Sequence, residues 1–227
     1  MRVFPVSLHL TGRRALVLGV GPEQARRAQA LVEAGADLLV VAERLDPALA
    51  PLAAGGQLRH AARRPAPSDL SFAWLAVYVD RDPDERAALF AAAERERVFF
   101  CATDQPDASY SHPALAKSGD LTIAIGTGGR APGLSARLRV ELQALLDRSH
   151  AARHVARLAA LRERTAPHER RQVMEAAVRE LSVQGSIHFG APLEGPARAA
   201  EDGAEPETRG APSQAPTGAV PSNPPKP

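Results

Sequence analysis

The residues most suited to chemistry begin with a glycine turn, Gly19-Val20-Gly21-Pro22-Glu23, set between an apolar run and a run with helical spacing. One glycine permits a tight turn, and a second lets the backbone approach a pyrophosphate. The amino terminus of the following helix adds unpaired N–H groups and a positive dipole end. Glu43 and Arg44 follow the next apolar run, where an acid can bind a ribose. These residues predict a dinucleotide site; the alternative is a purely structural turn.

A single carboxylate, Asp104, directly follows the apolar run 98–102. In an open parallel sheet, ligands bind beyond the carboxyl ends of the strands. A partly desolvated carboxylate at that edge can serve as a general base. Asp104-Gln105-Pro106-Asp107 also fits an ordinary turn, so position alone leaves a catalytic and a structural role open.

A second glycine loop, Thr127-Gly128-Gly129-Arg130, lies between a predicted strand and a predicted helix that contains Arg137. Backbone N–H groups in such a loop can bind an anion, and arginines can bind carboxylates. The alternative is a flexible connection. His150 and His154 have metal-ligand spacing, but no third ligand is evident, so we expect surface residues and no metal site.

Elements that alternate along the chain must position these residues. Apolar runs predict strands and periodic runs predict helices, which together indicate an α/β fold with a parallel sheet covered on both faces. The predicted strands are 14–18, 38–42, 74–79 and 98–102, and the predicted helices are 22–34 and 83–95. Residues 3–10 are predicted to form a first extended segment.

The later part of the chain has a different pattern. A strand is predicted at 121–125, followed by helices at 132–147, 151–164 and 168–184. Beyond about residue 190 the chain is rich in proline and has no aromatic residue. Such a segment buries too little apolar area to offset its ordering entropy, so we predict a disordered tail.

Composition excludes several classes of protein. The net charge of +2 over 227 residues gives no argument for nucleic acid. Cys101 is the only cysteine, so neither an internal disulfide nor a cysteine-based zinc site is expected. No signal pattern and no apolar run long enough to span a bilayer is evident, and we predict a cytoplasmic protein without a membrane partner.

Together, these motifs resemble the precorrin-2 dehydrogenase/sirohydrochlorin ferrochelatase family, which also forms the amino-terminal module of siroheme synthases. The resemblance runs from Phe4 to about residue 185, in family order. It rests on Phe4-Pro5-Val6 and on the segments LVLGVGPEQARRAQALVEAGA, FAWLAVYVD, VFFCATDQPDASYSHPAL, LTIAIGTGGRAPGLSARLRVELQALL and HERRQVMEAAV.

The resemblance implies a homodimer with a Rossmann-type domain, a dimerisation region and a small helical carboxyl-terminal domain. The corresponding boundaries are 1–113 for NAD binding, 114–149 for dimerisation and substrate, 150–188 for the helical domain and 189–227 for the tail. It also implies NAD-dependent oxidation of precorrin-2 to sirohydrochlorin, with Fe²⁺ as a substrate of a later chelation step. Asp104 matches the aspartate implicated in both steps.

The same resemblance assigns the carboxylate-rich macrocycle to Thr127, Gly128, Gly129, Arg130 and Arg137. The chain also departs from the family at several positions. Gln24 replaces a small residue that allows close helix–strand packing. Tyr78, Val79 and Asp80 replace a small-small-Thr run, Cys101 replaces an Asn, and the segment after Asp104 is one residue shorter.

Two of these departures predict a poorer cofactor site. The bulk of Tyr78 is expected to narrow the nicotinamide pocket, and the charge of Asp80 is expected to repel a pyrophosphate. They leave two alternatives to the dehydrogenase: a non-catalytic module that binds NAD or a tetrapyrrole, and a chelatase without the redox step.

Overall fold

Five short apolar segments pair as a parallel sheet in the computed structural model, which describes residues 3–105, 107–184 and 187. The strand order is β3-β2-β1-β4-β5, so the sheet grows outward in both directions from β1. This arrangement confirms the predicted α/β fold with a Rossmann-type sheet. The strands are β1 Arg14–Leu18, β2 Asp37–Val41, β3 Leu58–Ala61, β4 Leu75–Tyr78 and β5 Phe99–Ala102.

Alternation along the strands builds a core on each face of the sheet. Val17 and Val77 point to the face that α1 covers, whereas Leu16 and Phe100 point to the face that α3 covers. All four side chains are buried, as expected for parallel strands with helices on both sides. The helices of this part are α1 Gln24–Glu33, α2 Ala50–Ala54 and α3 Pro83–Glu96.

Helix α3 has a clear local cause. The carboxylate of Asp82 accepts hydrogen bonds from the N–H groups of Asp84 and Glu85, both at 3.1 Å, and Pro83 takes the first helical position. The helix ends at Arg97, which adopts a left-handed conformation with φ of 56°. The Asp82 cap fixes where α3 begins after β4, at the edge of the sheet that carries the candidate site.

A second, two-stranded antiparallel sheet follows, made of β6 Ala114–Ser118 and β7 Leu121–Ile125. Gly119, with φ of 57°, and Asp120 form its two-residue turn. The side chain of Gln143 in α4 bridges both backbone groups of Lys117, at 2.9 and 2.8 Å. The helices of this part are α4 Pro132–Ser149, α5 Ala151–Arg164 and α6 Arg170–Ala177.

Several predicted boundaries are corrected by the structure. Residues 3–10 form no strand, and Leu10 alone of them is buried. The last helix ends at Ala177 rather than at 184. Strands β3 and β6 were not predicted, because each buries only one side chain and therefore has a weak apolar signal.

The chain divides into two units, Met1–Arg179 and Glu180–Pro227, and every element named above lies in the first. The predicted tail, 189–227, lies outside the described residues, and the predicted boundaries at 113 and 149 stay predictions. Within the described part of the chain, no helix combines the length and apolar character that crossing a membrane requires.

Candidate functional site

The first glycine turn is crowded by the end of β4. Gly19 has a φ of 89°, and a β-carbon on it would lie 2.6 Å from the β-carbon of Asp80. A β-carbon on Gly21 would lie 2.1 Å from the carbonyl oxygen of Val79. Both glycines are therefore required by packing within the protein, before any ligand is considered.

Asp80 occupies the backbone donor of this turn. Its carboxylate accepts a hydrogen bond from the N–H of Val20 at 3.1 Å and another from the N–H of Arg81 at 2.7 Å. A turn of this kind ordinarily offers such an N–H to a phosphate oxygen. The chain thus supplies its own anion at the predicted pyrophosphate position.

Gln24, at the position where a small residue was expected, is buried, and both its amide nitrogen and its amide oxygen form hydrogen bonds. Its amide nitrogen donates to the carbonyl oxygens of Gly19 at 2.9 Å and Arg44 at 3.2 Å, while its amide oxygen accepts from the N–H of Asp46 at 2.6 Å. The side chain links the turn after β1 to the loop after β2. A glutamine here ties the two loops together.

Two cavities open at this edge of the sheet and share Val20. The first, of about 240 Å³, is lined by Gly19, by Arg64 and by the carboxylates of Glu43, Asp80, Asp82 and Glu85. The second, of about 330 Å³, contains Gly21, Gln24 and Arg44 together with the apolar side chains of Leu45 and Pro47. Glu43 and Arg44, both predicted to bind the cofactor, therefore face different cavities.

Charge within the first cavity is only partly balanced. Arg64 lies 2.6 Å from Asp82 and 3.0 Å from Glu85. Backbone hydrogen bonds from the start of α3, followed by the guanidinium of Arg64, lower the pKa of Asp82. Among the described residues, no group of three or more His, Cys, Asp or Glu side chains could hold a metal ion.

Tyr78, predicted to narrow the nicotinamide pocket, lines neither of these two cavities. Its side chain is fully buried between the sheet and α3. The hydroxyl donates to the carbonyl of Asp82 at 3.1 Å and to the carboxylate of Glu85 at 3.0 Å. Burial, reinforced by Glu85, raises the pKa of Tyr78 well above its ordinary value. The ring packs on the face of the sheet that α3 covers, beneath Glu85 at the wall of the first cavity. Which face a strand residue takes depends on the sheet, and a linear sequence does not state it.

Asp104 lies in a turn that follows β5, defined here as the Asp104 turn: Thr103, Asp104, Gln105 and Asp107. Asp104 is exposed and has a φ of 54°, a left-handed conformation that Asp and Asn tolerate better than most residues. The N–H of Thr103 donates to the carbonyl of Tyr78 at 2.9 Å. The amide of Gln105 donates to the carbonyl of Asp80 at 2.9 Å. The structure therefore brings the Asp104 turn to the same strand end as the first glycine turn.

The chain then returns along β5 and crosses the start of α1. The N–H of Ser109 donates to the carbonyl of Phe100 at 2.8 Å, and the ring of Tyr110 meets that of His112 edge-on at 5.0 Å. His112 remains partly exposed, yet the hydration it loses here and the positive charges of Arg27 and Arg26 lower its pKa to about 4. Burial also raises the pKa of the Cys101 thiol, which is therefore protonated and unreactive at neutral pH.

The second glycine loop is open. Gly128 and Gly129 have φ values of 62° and 76°, and a β-carbon on Gly129 would meet nothing within 4 Å. The hydroxyl of Thr127 accepts hydrogen bonds from the N–H of Ala131 and the hydroxyl of Ser135, both at 3.2 Å. Thr127 thus organises the loop from inside, while Arg130 is exposed.

Other predicted residues take local partners. Arg137 forms an ion pair with Glu141 one turn along α4. Glu23 pairs with Arg26 and Arg27 in α1, and the hydrogen bond from Arg26 lowers the pKa of Glu23. Gln105 and Arg86, which hold the Asp104 turn, are not predicted from the sequence. Gln105 could have been noted because it adjoins the candidate base, whereas Arg86 has no such signal.

Comparison with known proteins gives a consistent result. A family model of NAD(P)-binding domains matches residues 6–112. The chain is 36% identical over 165 residues to siroheme synthase 3 of Aeromonas hydrophila, and this match covers 72% of this chain and 35% of that protein. It is 37% identical over 147 residues to a siroheme synthase of Chromobacterium violaceum, which covers 64% of this chain and 31% of that protein. The chain spans about a third of the length of these relatives.

A solved structure of SirC, a precorrin-2 dehydrogenase, superposes with a TM-score of 0.67 at 24% identity. The superposition covers 78% of this chain and 89% of SirC. This likeness shows a common fold.

Proposed function

Since the chain belongs to the family formed by the amino-terminal module of siroheme synthases, we propose that it oxidises precorrin-2 to sirohydrochlorin with NAD as hydride acceptor. The observation that carries this proposal is the meeting of two turns at one edge of the sheet. Gln105, next to Asp104, bonds to the backbone of Asp80, whose carboxylate bonds to the Gly19–Gly21 turn.

The residues at the first glycine turn fit an adenine nucleotide. Leu45 and Pro47 offer apolar contacts for a base in the larger cavity, and Glu43, across Val20, can accept a ribose hydroxyl. Gly21 itself has no side chain to block a pyrophosphate, and its close approach to β4 leaves no room for one. Asp80 has to give up the N–H of Val20 for a pyrophosphate to take it.

NAD supplies the hydride-accepting chemistry when it is bound. Oxidation of precorrin-2 removes a hydride and a proton, and the carboxylate of Asp104 accepts the proton. The left-handed backbone at Asp104 presents that carboxylate to solvent at the strand end, where a large macrocycle can reach it. The Thr127–Arg130 loop and Arg137 bind carboxylates of the macrocycle.

Two further parts of the proposal follow from the family. Fe²⁺ enters as a substrate of a second step, in which Asp104 accepts pyrrole protons. The protein assembles as a homodimer through β6, β7 and α4; the exposed apolar side chains Leu115, Leu134 and Val140 support this surface. Sedimentation of the intact chain tests the dimer.

The decisive experiment incubates the purified chain with precorrin-2 and NAD and follows NADH and sirohydrochlorin together. We expect one NADH for each sirohydrochlorin. Asp104→Asn keeps the left-handed turn but removes the base, so turnover should fall about 100-fold or more.

Other outcomes identify the alternatives. NAD or tetrapyrrole binding without turnover in a folded protein would favour a binding module. Iron insertion into supplied sirohydrochlorin, with no NADH formed from precorrin-2, would favour a chelatase without a redox step.

A further inference from the structure

Arg86, in the first turn of α3, bonds to two side chains of the Asp104 turn. Its Nε donates to the carboxylate of Asp107 at 2.5 Å, and its Nη1 donates to the amide oxygen of Gln105 at 2.7 Å. The side chains of Arg86 and Asp107 are 21% and 28% exposed, so this ion pair is partly shielded from water. Such a pair orients its partners more firmly than a fully exposed one.

The contact continues from Gln105 to the first glycine turn. The amide nitrogen of Gln105 donates to the carbonyl of Asp80, and the carboxylate of Asp80 accepts from the N–H of Val20. One line of hydrogen bonds therefore runs from α3 through the Asp104 turn and the end of β4 to the proposed cofactor turn.

The backbone at Asp104 needs such support. A left-handed conformation is unfavourable for a non-glycine residue, and it persists where surrounding contacts determine it. The carboxylate of Asp104 itself is exposed. Its direction is therefore set by the backbone of the turn, and Arg86 bonds to Gln105 and Asp107, two residues that follow Asp104.

We propose that Arg86 is the positioning residue for the Asp104 carboxylate, a role that rests on the proposed function of Asp104 as the base. Arg86 acts through Gln105 and Asp107 and leaves the substrate untouched. A lysine cannot replace it, because a single ammonium lacks the planar fork that reaches two acceptors at once.

The first test compares Arg86→Met with Arg95→Met. Arg95 lies on the same helix and donates to the carbonyl of Ala91 within that helix, so its loss controls for a missing surface arginine. We expect kcat of Arg86→Met to fall about 100-fold, as for a misplaced catalytic group, with the KM for NAD changed by less than about twofold. Arg95→Met should match the wild type. A rise in KM alone would overturn the proposal.

The second test asks whether Arg86 works through Asp104. In the Asp104→Asn background, adding Arg86→Met should cause no further loss of kcat, since the group that Arg86 positions is already gone. Independent, multiplying losses would contradict the proposal. Gln105→Leu removes the bonds from Arg86 and to Asp80 while sparing the Arg86–Asp107 pair, and it should also lower kcat. It serves as the test if Arg86→Met fails to fold.

A third measurement is independent of turnover. The N–H of Ala102 donates to the carbonyl of Asp107, and the N–H of Ser109 to the carbonyl of Phe100. Hydrogen exchange at these two amides should be faster in Arg86→Met than in Arg95→Met, and unchanged exchange would overturn the proposal. If the wild type forms no NADH, the proposed function fails, whereas the exchange result still decides whether Arg86 holds the turn.

Discussion

At the first glycine turn a methyl group on Gly21 would lie 2.1 Å from the carbonyl oxygen of Val79, whereas at the second a methyl group on Gly129 would meet nothing within 4 Å. The first turn is packed beneath the end of β4 and has the carboxylate of Asp80 on its N–H. The second is open and is held from inside by the hydroxyl of Thr127. Glycines between a strand and a helix thus reflect close packing in one region and backbone conformation in the other.

The largest expected effect comes from replacing each of these two glycines with alanine. Gly21→Ala should lower the free energy of unfolding by about 3 kcal/mol, because a backbone carbonyl cannot move aside as a side chain can. Gly129→Ala carries only the cost of its positive φ, about 1 kcal/mol. Urea unfolding measures both, and equal losses would remove the distinction between the turns.

Asp80→Asn sharpens the contrast in charge. The amide still has an oxygen that can accept from Val20, but the repulsion of a pyrophosphate is gone, so the Kd for NAD should fall about tenfold. Calorimetric titration with NAD measures this change. Asp120→Asn, an exposed acid in the β6–β7 turn, controls for overall charge. Weaker binding by Asp80→Asn would mean that the carboxylate organises the turn for the ligand.

Arg130→Gln examines the open turn. We expect the KM for the tetrapyrrole to rise about fivefold, the effect of one exposed ion pair, and the rise to shrink as salt is added. Arg148→Gln, at the far end of α4, is the matched control. An effect insensitive to salt would argue against charge recognition by Arg130.

The smallest expected effect concerns His112, which crosses the amino terminus of α1. Its pKa is about 4 in the folded chain against an ordinary 6.5. Between these values the unfolded chain binds a proton that the folded chain does not. The contribution of His112 to the free energy of unfolding is therefore complete above pH 6.5 and is lost as the pH falls towards 4.

The free energy of unfolding of His112→Gln should fall less than that of the wild type between pH 6.5 and 4. The difference should be about 1 kcal/mol once solvent screening of the partly exposed ring is allowed for. Urea unfolding of both proteins across this pH range gives the difference. Parallel curves for the two proteins would show that His112 has no part in the acid sensitivity.

The α/β class can be predicted from the amino-acid sequence alone, because buried strands in a parallel sheet are short apolar runs and the helices between them keep a regular period. Both glycine turns and the position of Asp104 after a strand can also be predicted, since these are local properties. The edge strand β3 is not predicted, because Leu58 is its only buried side chain and gives too weak an apolar signal.

The role of each polar side chain at the sheet edge becomes clear only once the chain is folded. Tyr78 and Asp80 are two residues apart, yet one is buried against α3 and the other bonds to the turn after β1. Gln24 of α1 bonds to Arg44 and Asp46, and Arg86 of α3 bonds to Gln105 and Asp107. Each set of bonds joins a helix to a loop that is distant in the chain. These contacts depend on how strands are ordered and which face each helix covers, and a local pattern of residues carries neither.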